Sequence, residues 1–253
     1  MIVDFPLLVL VVSFGVLVFA AWLGDFLRKR SKRAEETNRE DAGVVLGGTL
    51  TLLGLIIGFS FAMATNRYDL RKESEKAETN AIAVLYMRAD LLPPADAAKA
   101  HDLIKKYLDE RVQFYSTRNS DRLAEIKEAT AQIQNELWSQ IQVAIGPLPP
   151  QLEGLFVSSM NDVVVSRLST EAVWANRIPT GAWALIIITS IGCNLLIGFR
   201  ARRTDWLVFL VMPVAVSISL FLIADLDSTR GGAIRVQPKN LITFSQTLGT
   251  GVK

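Results

Sequence analysis

The sequence predicts an all-α polytopic membrane protein, with four transmembrane helices and a four-helix extramembrane bundle inserted between spans two and three. Three observations carry this reading. Half of the 253 residues are hydrophobic while the formal net charge is only +2, a balance too apolar for an ordinary soluble domain and too evenly charged for a nucleic-acid binder. The apolar residues cluster in four uncharged runs, 5–23, 43–64, 180–199 and 206–224, each long enough to cross a hydrocarbon core of ~30 Å. Residues 66–145, by contrast, are rich in Ala, Glu, Lys, Leu and Gln, with apolar side chains at three- and four-residue spacing.

The first run opens with MIVDFP, which has no basic leader, and closes in the stop-transfer flank LGDFLRKRSKR; it reads as a retained span rather than a signal peptide. The second run continues from Gly43 to Leu92 without a helix breaker, which predicts one rod of ~75 Å at 1.5 Å per residue. PPAD then supplies a stop and a restart. A second extramembrane helix is expected over about 95–117, striped with Leu103, Ile104, Tyr107, Leu108, Val112 and Tyr115. A third, over about 119–144, carries Leu123, Ile126, Ile133, Leu137, Trp138 and Ile141, and GPLPP ends it. A fourth, over 151–177, returns to span three with Pro179 at the joint. After span four, DSTRGGAIRVQP reads as a turn and a short extended piece, and KNLITFSQTL as one or two amphipathic turns. The predicted organisation is therefore 1–65 for spans one and two, 66–178 for the bundle, 179–224 for spans three and four, and 225–253 for a tail.

Both short connections are basic, with six Lys or Arg in 28–40 and three in 199–205. The positive-inside rule places them in the cytoplasm and the bundle on the periplasmic or extracellular side of the inner membrane of a bacterial cell.

Two constellations stand out as candidate sites. Along span two, Gly47, Thr51, Gly54, Gly58, Ala62 and Thr65 form a stripe of small side chains. In lipid such a face lets another backbone approach closely. It can serve packing against another span of the same chain, or packing around an oligomer axis or pore. At the predicted membrane boundary, polar groups collect from three spans: Asn66, Arg67 and Asp69; Asn176 and Arg177; Asp225, Asp227 and Arg230. Asp225 follows nineteen apolar residues, a depth where an unpaired carboxylate is costly. Arg67 or Arg177 is its expected partner. The belt can lock the spans together, or a ring of it can select ions at a pore mouth.

Enzyme signatures are missing. The one histidine, His101, reads as a surface residue with no second metal ligand at useful spacing. The one cysteine, Cys193, lies within span three and excludes an intramolecular disulfide. No phosphate loop, catalytic residue, metal site or cofactor is predicted, and the partners implied are the lipid bilayer, further copies of the chain and permeant ions, not nucleic acid.

The stretch LLGLIIGFSFAMATNRYDLRKESEKAETNAIAVLYMRADLLP resembles the signature helix of the bestrophin-like family of bacterial membrane proteins. ELWSQ (136–140), GLFVSSMNDVVVSR with ANRIP (154–179), and LIADLDSTRGGAIRVQ (222–237) are similar to further patches of that family, in the same order. The last patch departs from the pattern at Thr229 and Gly232, where the family has a Pro and a bulkier residue, and near Pro238–Lys239, where it has a Ser-Gln pair. The resemblance implies a homo-oligomeric ion channel. The alternative is a non-conducting scaffold or sensor whose bundle binds a partner or ligand.

Overall fold

A computed structural model describes residues 4–30, 36–200 and 206–249, with side-chain surroundings from residue 43 onward in the second segment and from residue 209 onward in the third. Among the described residues every regular element is a helix: α1 Pro6–Arg30, α2 Glu36–Ala89, α3 Pro94–Ser116, α4 Ser120–Ile145, α5 Pro150–Ala175, α6 Thr180–Arg200, α7 Trp206–Asp227 and α8 Lys239–Gly249. Of the basic connections 28–40 and 199–205, residues 31–35 and 201–205 lie outside the described residues.

Local chemistry explains where each helix stops. Arg28, Lys29 and Arg30 close α1 against the negative end of its dipole, and Asp25 holds Arg28 and Lys29 at 2.5 Å each. α2 runs for 54 residues with no proline inside it. α3 and α5 each begin at a proline, whose missing N–H is no loss in a first turn. Asn119 caps α4 by accepting the N–H groups of Asp121 at 2.7 Å and Arg122 at 3.3 Å. α5 ends at Ala175, two residues before the predicted 177, because Ile178 precedes Pro179 and is disfavoured in the helical region.

The chain divides into two compact units, Met1–Tyr68 with Arg177–Arg235, and Asp69–Asn176 with Val236–Lys253. Among the described residues, four helical stretches, Pro6–Arg30, Gly43–Ala89, Pro150–Arg200 and Phe209–Asp227, are long and apolar enough to cross a membrane. In the first unit, Leu53 and Ala64 of α2 contribute to the core. α1 packs on α6 and α7. Gly24 and Gly198 set the closest approach: a Cβ on Gly24 would collide with the Leu195 carbonyl, and one on Gly198 with the Ala21 carbonyl. Ala20 and Ala21 complete this small surface, so the backbones gain dispersion contact that oil alone does not provide in lipid. Leu17, Leu53, Ile186, Cys193, Val216 and Leu220 form the core between the helices, and Ala64, Ile178, Ile223 and Leu226 a second cluster.

In the second unit α3 packs on α4 and α8, and α4 on α5. Its core includes Leu103, Ile104, Tyr107, Leu108, Ile126, Leu137, Phe156 and Met160. Phe114, Tyr115 and Trp174 meet edge-on, with ring centroids 5.3–5.4 Å apart, the geometry that aromatic quadrupoles favour. His101 is only partly exposed. It stacks on Tyr86 at 4.1 Å and its Nε2 lies 3.1 Å from the Tyr86 carbonyl.

Candidate functional site

The small-residue stripe of α2 faces away from the rest of the chain. Gly47, Thr51, Gly54, Gly58 and Ala62 are exposed and Thr65 is half-buried. A Cβ built on Gly47, Gly54 or Gly58 meets no described atom within 4 Å beyond the helix itself. The hydroxyls of Thr51 and Thr65 each donate to the carbonyl four residues back, at 3.0 Å, so the stripe presents no competing donor. The helix face that does meet other spans carries Leu53, Ser60 and Ala64 instead, all buried. α1 contrasts with this: its outer face is bulky, with Leu7 71%, Val11 69%, Phe19 58% and Trp22 54% exposed. Bulky apolar side chains suit acyl chains, whereas small ones leave lipid poorly packed and favour a second helix.

Asp225 is held differently from the arginine pairing that its charge suggests. Asp225, 2% exposed, accepts the backbone N–H groups of Ala233 at 2.7 Å and Ile234 at 2.8 Å. Asp227, 1% exposed, accepts the N–H of Ile178 at 2.9 Å. Arg177 meets Asp4 at 2.5 Å. Backbone amides win at Asp225 because the turn after α7 folds back over the carboxylate, and two N–H groups satisfy a buried anion without a second charge to desolvate. That turn needs Gly232: a Cβ there would lie 2.7 Å from the Asp225 carbonyl oxygen and 2.9 Å from its Oδ1. A bulkier residue at this position, the pattern from which the sequence departs, would require a different turn. In the other unit, the Asn176 carbonyl accepts from Arg71 at 3.4 Å, and Asp69 is exposed. Asn66 is exposed and Arg67 half-buried at the end of the stripe.

Several further polar groups are buried that the sequence pattern does not single out. On the inner face of α2, Arg71, Glu75 and Glu78 are all at most 2% exposed, and they continue the apolar positions Ile82, Leu85 and Ala89 at three- and four-residue steps. Glu78 accepts from Arg111, from the Tyr115 hydroxyl at 2.9 Å and from the Thr170 hydroxyl at 3.2 Å. Glu171 gathers Lys127 at 3.2 Å and Arg167 at 3.4 Å. Burial pushes the Tyr115 hydroxyl far above its usual range, with the Glu78 carboxylate adding to it, so Tyr115 remains a donor at any working pH. Burial opposes the charge on Arg111, but Glu78 outweighs it and the guanidinium is held more firmly protonated than usual. Charged residues at core positions of an amphipathic stripe were the available signal. In α6 and α7, Ser190 Oγ, Asn194 Oδ1 and Ser217 Oγ are buried with no hydrogen-bond partner among the described residues.

A groove of about 400 Å³ runs between α2 and α5 in the second unit, lined by Glu73, Ser74, Ala77, Asp162, Ser166 and Ser169 among others.

The sequence model of the Bestrophin-like domain matches residues 11–241. The chain belongs to the bestrophin-like family. No curated protein matches it. Among solved structures, this bestrophin-like chain is similar to a variant of a bacterial bestrophin homologue from Klebsiella pneumoniae, at TM-score 0.67 and 13% identity over 98% of this chain and 99% of that one. A second variant of a bestrophin homologue from the same organism matches at TM-score 0.62 and 14% identity, over 95% and 94%. A structure described as a membrane protein matches at TM-score 0.62 and 11% identity, over 98% and 97%. At these identities the likeness concerns the fold. With its four apolar helical stretches, the bestrophin-like chain is a membrane protein.

Proposed function

We propose that this protein is a homo-oligomeric ion channel in a bacterial inner membrane. In this reading 1–65 and 179–224 form the membrane part, 66–178 a four-helix bundle on the periplasmic or extracellular side, and 225–253 a tail. The observation that carries it is the outward-facing stripe of α2, on which Gly47, Gly54 and Gly58 have open space where a side chain would stand. A face of small residues in lipid has little reason to exist unless another helix covers it, and a ring of copies each presenting it encloses an axis. Asn66, Arg67 and Asp69 follow Thr65 directly on the same helix, so they would form the polar mouth of such a lumen and bias which ions enter. Asp225, Asp227, Arg177, Asn176 and Arg230 would brace that mouth.

A second reading, a non-conducting scaffold or sensor, draws support from the open groove between α2 and α5 with Glu73 and Asp162 on its walls. Reconstitution into liposomes separates the two. Ion flux that disappears when Gly54→Leu blocks assembly supports the channel, while a folded oligomer with no flux supports the scaffold. Orientation is tested by cysteines at Ser120 and Ser31 in a Cys193→Ser background. Labelling of position 120 but not 31 by an impermeant maleimide on spheroplasts is expected, and the reverse pattern would invert the topology.

A further inference from the structure

The groove between α2 and α5, of about 400 Å³, is lined mainly by small side chains, Ser74, Ala77 and Ala81 from α2 with Ser166 and Ser169 from α5. Leu70 and Val165 belong to the same lining and are 41% and 60% exposed. Its two carboxylates, Glu73 and Asp162, are exposed as well. Small side chains let another backbone come close. A bare Leu and Val beside them gain from being covered.

A surface of opposite charge lies on the same helix. Arg71, Lys72 and Glu73 step round α2 by about 100° each; Arg71 is buried, while Lys72 and Glu73 are exposed. The helical register therefore puts Lys72, and one turn later the exposed Lys76, on the edge of the open face opposite to Ser74, Ala77 and Ala81. None of Lys72, Glu73, Lys76 and Asp162 has an ion-pair partner among the described residues. One protomer thus carries an acidic groove and a basic edge at one height, since Lys72 and Lys76 bracket Glu73 within about 5 Å along the helix axis.

We propose that the α2/α5 groove of one copy receives the Lys72–Lys76 edge of the next copy, so that the ammonium groups of one chain meet Glu73 and Asp162 of its neighbour. This contact rests on the homo-oligomeric reading and gives it a register. Around a ring axis running along α2, equivalent residues of neighbouring copies stand at equal heights. Lys72 and Lys76 then reach the level of the next copy's Glu73 without any shift. A two-fold contact of groove with groove would instead set four carboxylates together, which like charges oppose. The charges favour a head-to-tail contact, the kind that closes into a ring. Lysine stems can lie along the small lining while their heads reach the carboxylates. Exposed ion pairs add little energy, so burial of Leu70 and Val165 supplies the attraction and the charges fix its direction.

The test uses the full chain in detergent, in a Cys193→Ser background. Lys76→Cys combined with Asp162→Cys should give, on oxidation, a ladder of disulfide-linked chains up to the native oligomer, and neither substitution alone should do so. Asp162→Cys alone should react with a maleimide several-fold more slowly in the oligomer than when combined with Gly54→Leu. Lys72→Glu with Lys76→Glu should raise the concentration at which the oligomer dissociates by about tenfold or more, because like charges then face each other. Adding Glu73→Lys and Asp162→Lys to that variant should restore it, and circular dichroism checks that each variant is folded. An oligomer that yields no ladder, and in which Asp162→Cys reacts as fast as in the Gly54→Leu chain, overturns the proposal. It leaves the groove free for a foreign partner while the role of the stripe in assembly stands. A disulfide between two chains that carry only Asp162→Cys also overturns it, by showing groove against groove. A ladder together with native oligomer mass for Gly54→Leu supports the contact and removes the stripe from assembly. A monomeric unmodified chain overturns both readings.

Discussion

Glu78 on α2 and Arg111 on α3 form an ion pair in which neither side chain is exposed at all. Arg111 also lies 4.3 Å over the Phe114 ring. The pair is surrounded by donors that complete the carboxylate's shell, Tyr115 and Thr170. Such a pair need not add net stability over apolar residues of the same volume, but removing one member strands the other charge.

Glu78→Leu or Arg111→Met should each destabilise the protein by about 3–5 kcal/mol, and the double variant should recover much of the loss. Chemical denaturation followed by Trp174 emission reads this out, because Trp174 packs on Phe114 and Tyr115. Additive losses in the double variant would show that the two charges act independently.

Glu75 performs a different task on the same face of α2. Its carboxylate accepts the N–H of Asn240 at 2.9 Å, the N–H of Leu241 at 3.0 Å and the Asn240 side-chain amide at 2.5 Å. These are first-turn donors of α8, which have no partner within their own helix. Leu241 is fully buried beside them. Glu75→Ala should therefore free α8 while leaving the remaining helices folded. Faster hydrogen exchange confined to 239–249, with unchanged exchange at 94–145, is the expected result.

Asp225 organises the turn after α7 by holding two amides. Asp225→Ala removes two hydrogen bonds to a charged acceptor, each worth about 1.5–3 kcal/mol. Arg177→Gln should act independently, because its partner is Asp4, so the two losses should add within about 0.5 kcal/mol. A large coupling energy between them in thermal melts would restore the arginine pairing that the charges alone suggest.

The four apolar helical stretches are legible because length and hydropathy decide them, and α3 to α5 because proline and glycine punctuate them. Every helix from α3 to α5 lies within two residues of its predicted bounds. The polar partners were not legible. Asp225 looked like half of an ion pair since periodicity shows which residues are buried but not where a turn will send its N–H groups. The sequence likewise shows small residues without showing which face of a helix they serve. Ala20, Ala21, Gly24 and Gly198 escaped notice, although they form the close contact within the chain, while the more regular stripe on α2 remains uncovered. Glu78 and Arg111 were passed over because charged residues on a helix with many charges are ordinarily solvated, and only their register with apolar positions marks them as buried.

That contrast between two sets of glycines yields the last expectation. At Gly198 an added methyl would strike the Ala21 carbonyl, and at Gly24 the Leu195 carbonyl. Neither carbonyl is a flexible group that can swing aside, so Gly198→Ala or Gly24→Ala must separate α1 from α6. Each should lower the yield of folded protein and the melting temperature of whatever remains, irrespective of assembly. At Gly54 and Gly58 there is room within the chain. Gly54→Leu or Gly58→Leu should leave a folded protomer, helical by circular dichroism, that fails to associate. Leu55→Ala, which removes bulk from a 53% exposed position outside the stripe, should affect neither property. Light scattering in detergent measures the mass of each variant, and circular dichroism the fold. Unfolding of Gly54→Leu would mean that the stripe is packed within the chain. Native oligomer mass for Gly54→Leu and Gly58→Leu alike would mean that the stripe is not where copies meet.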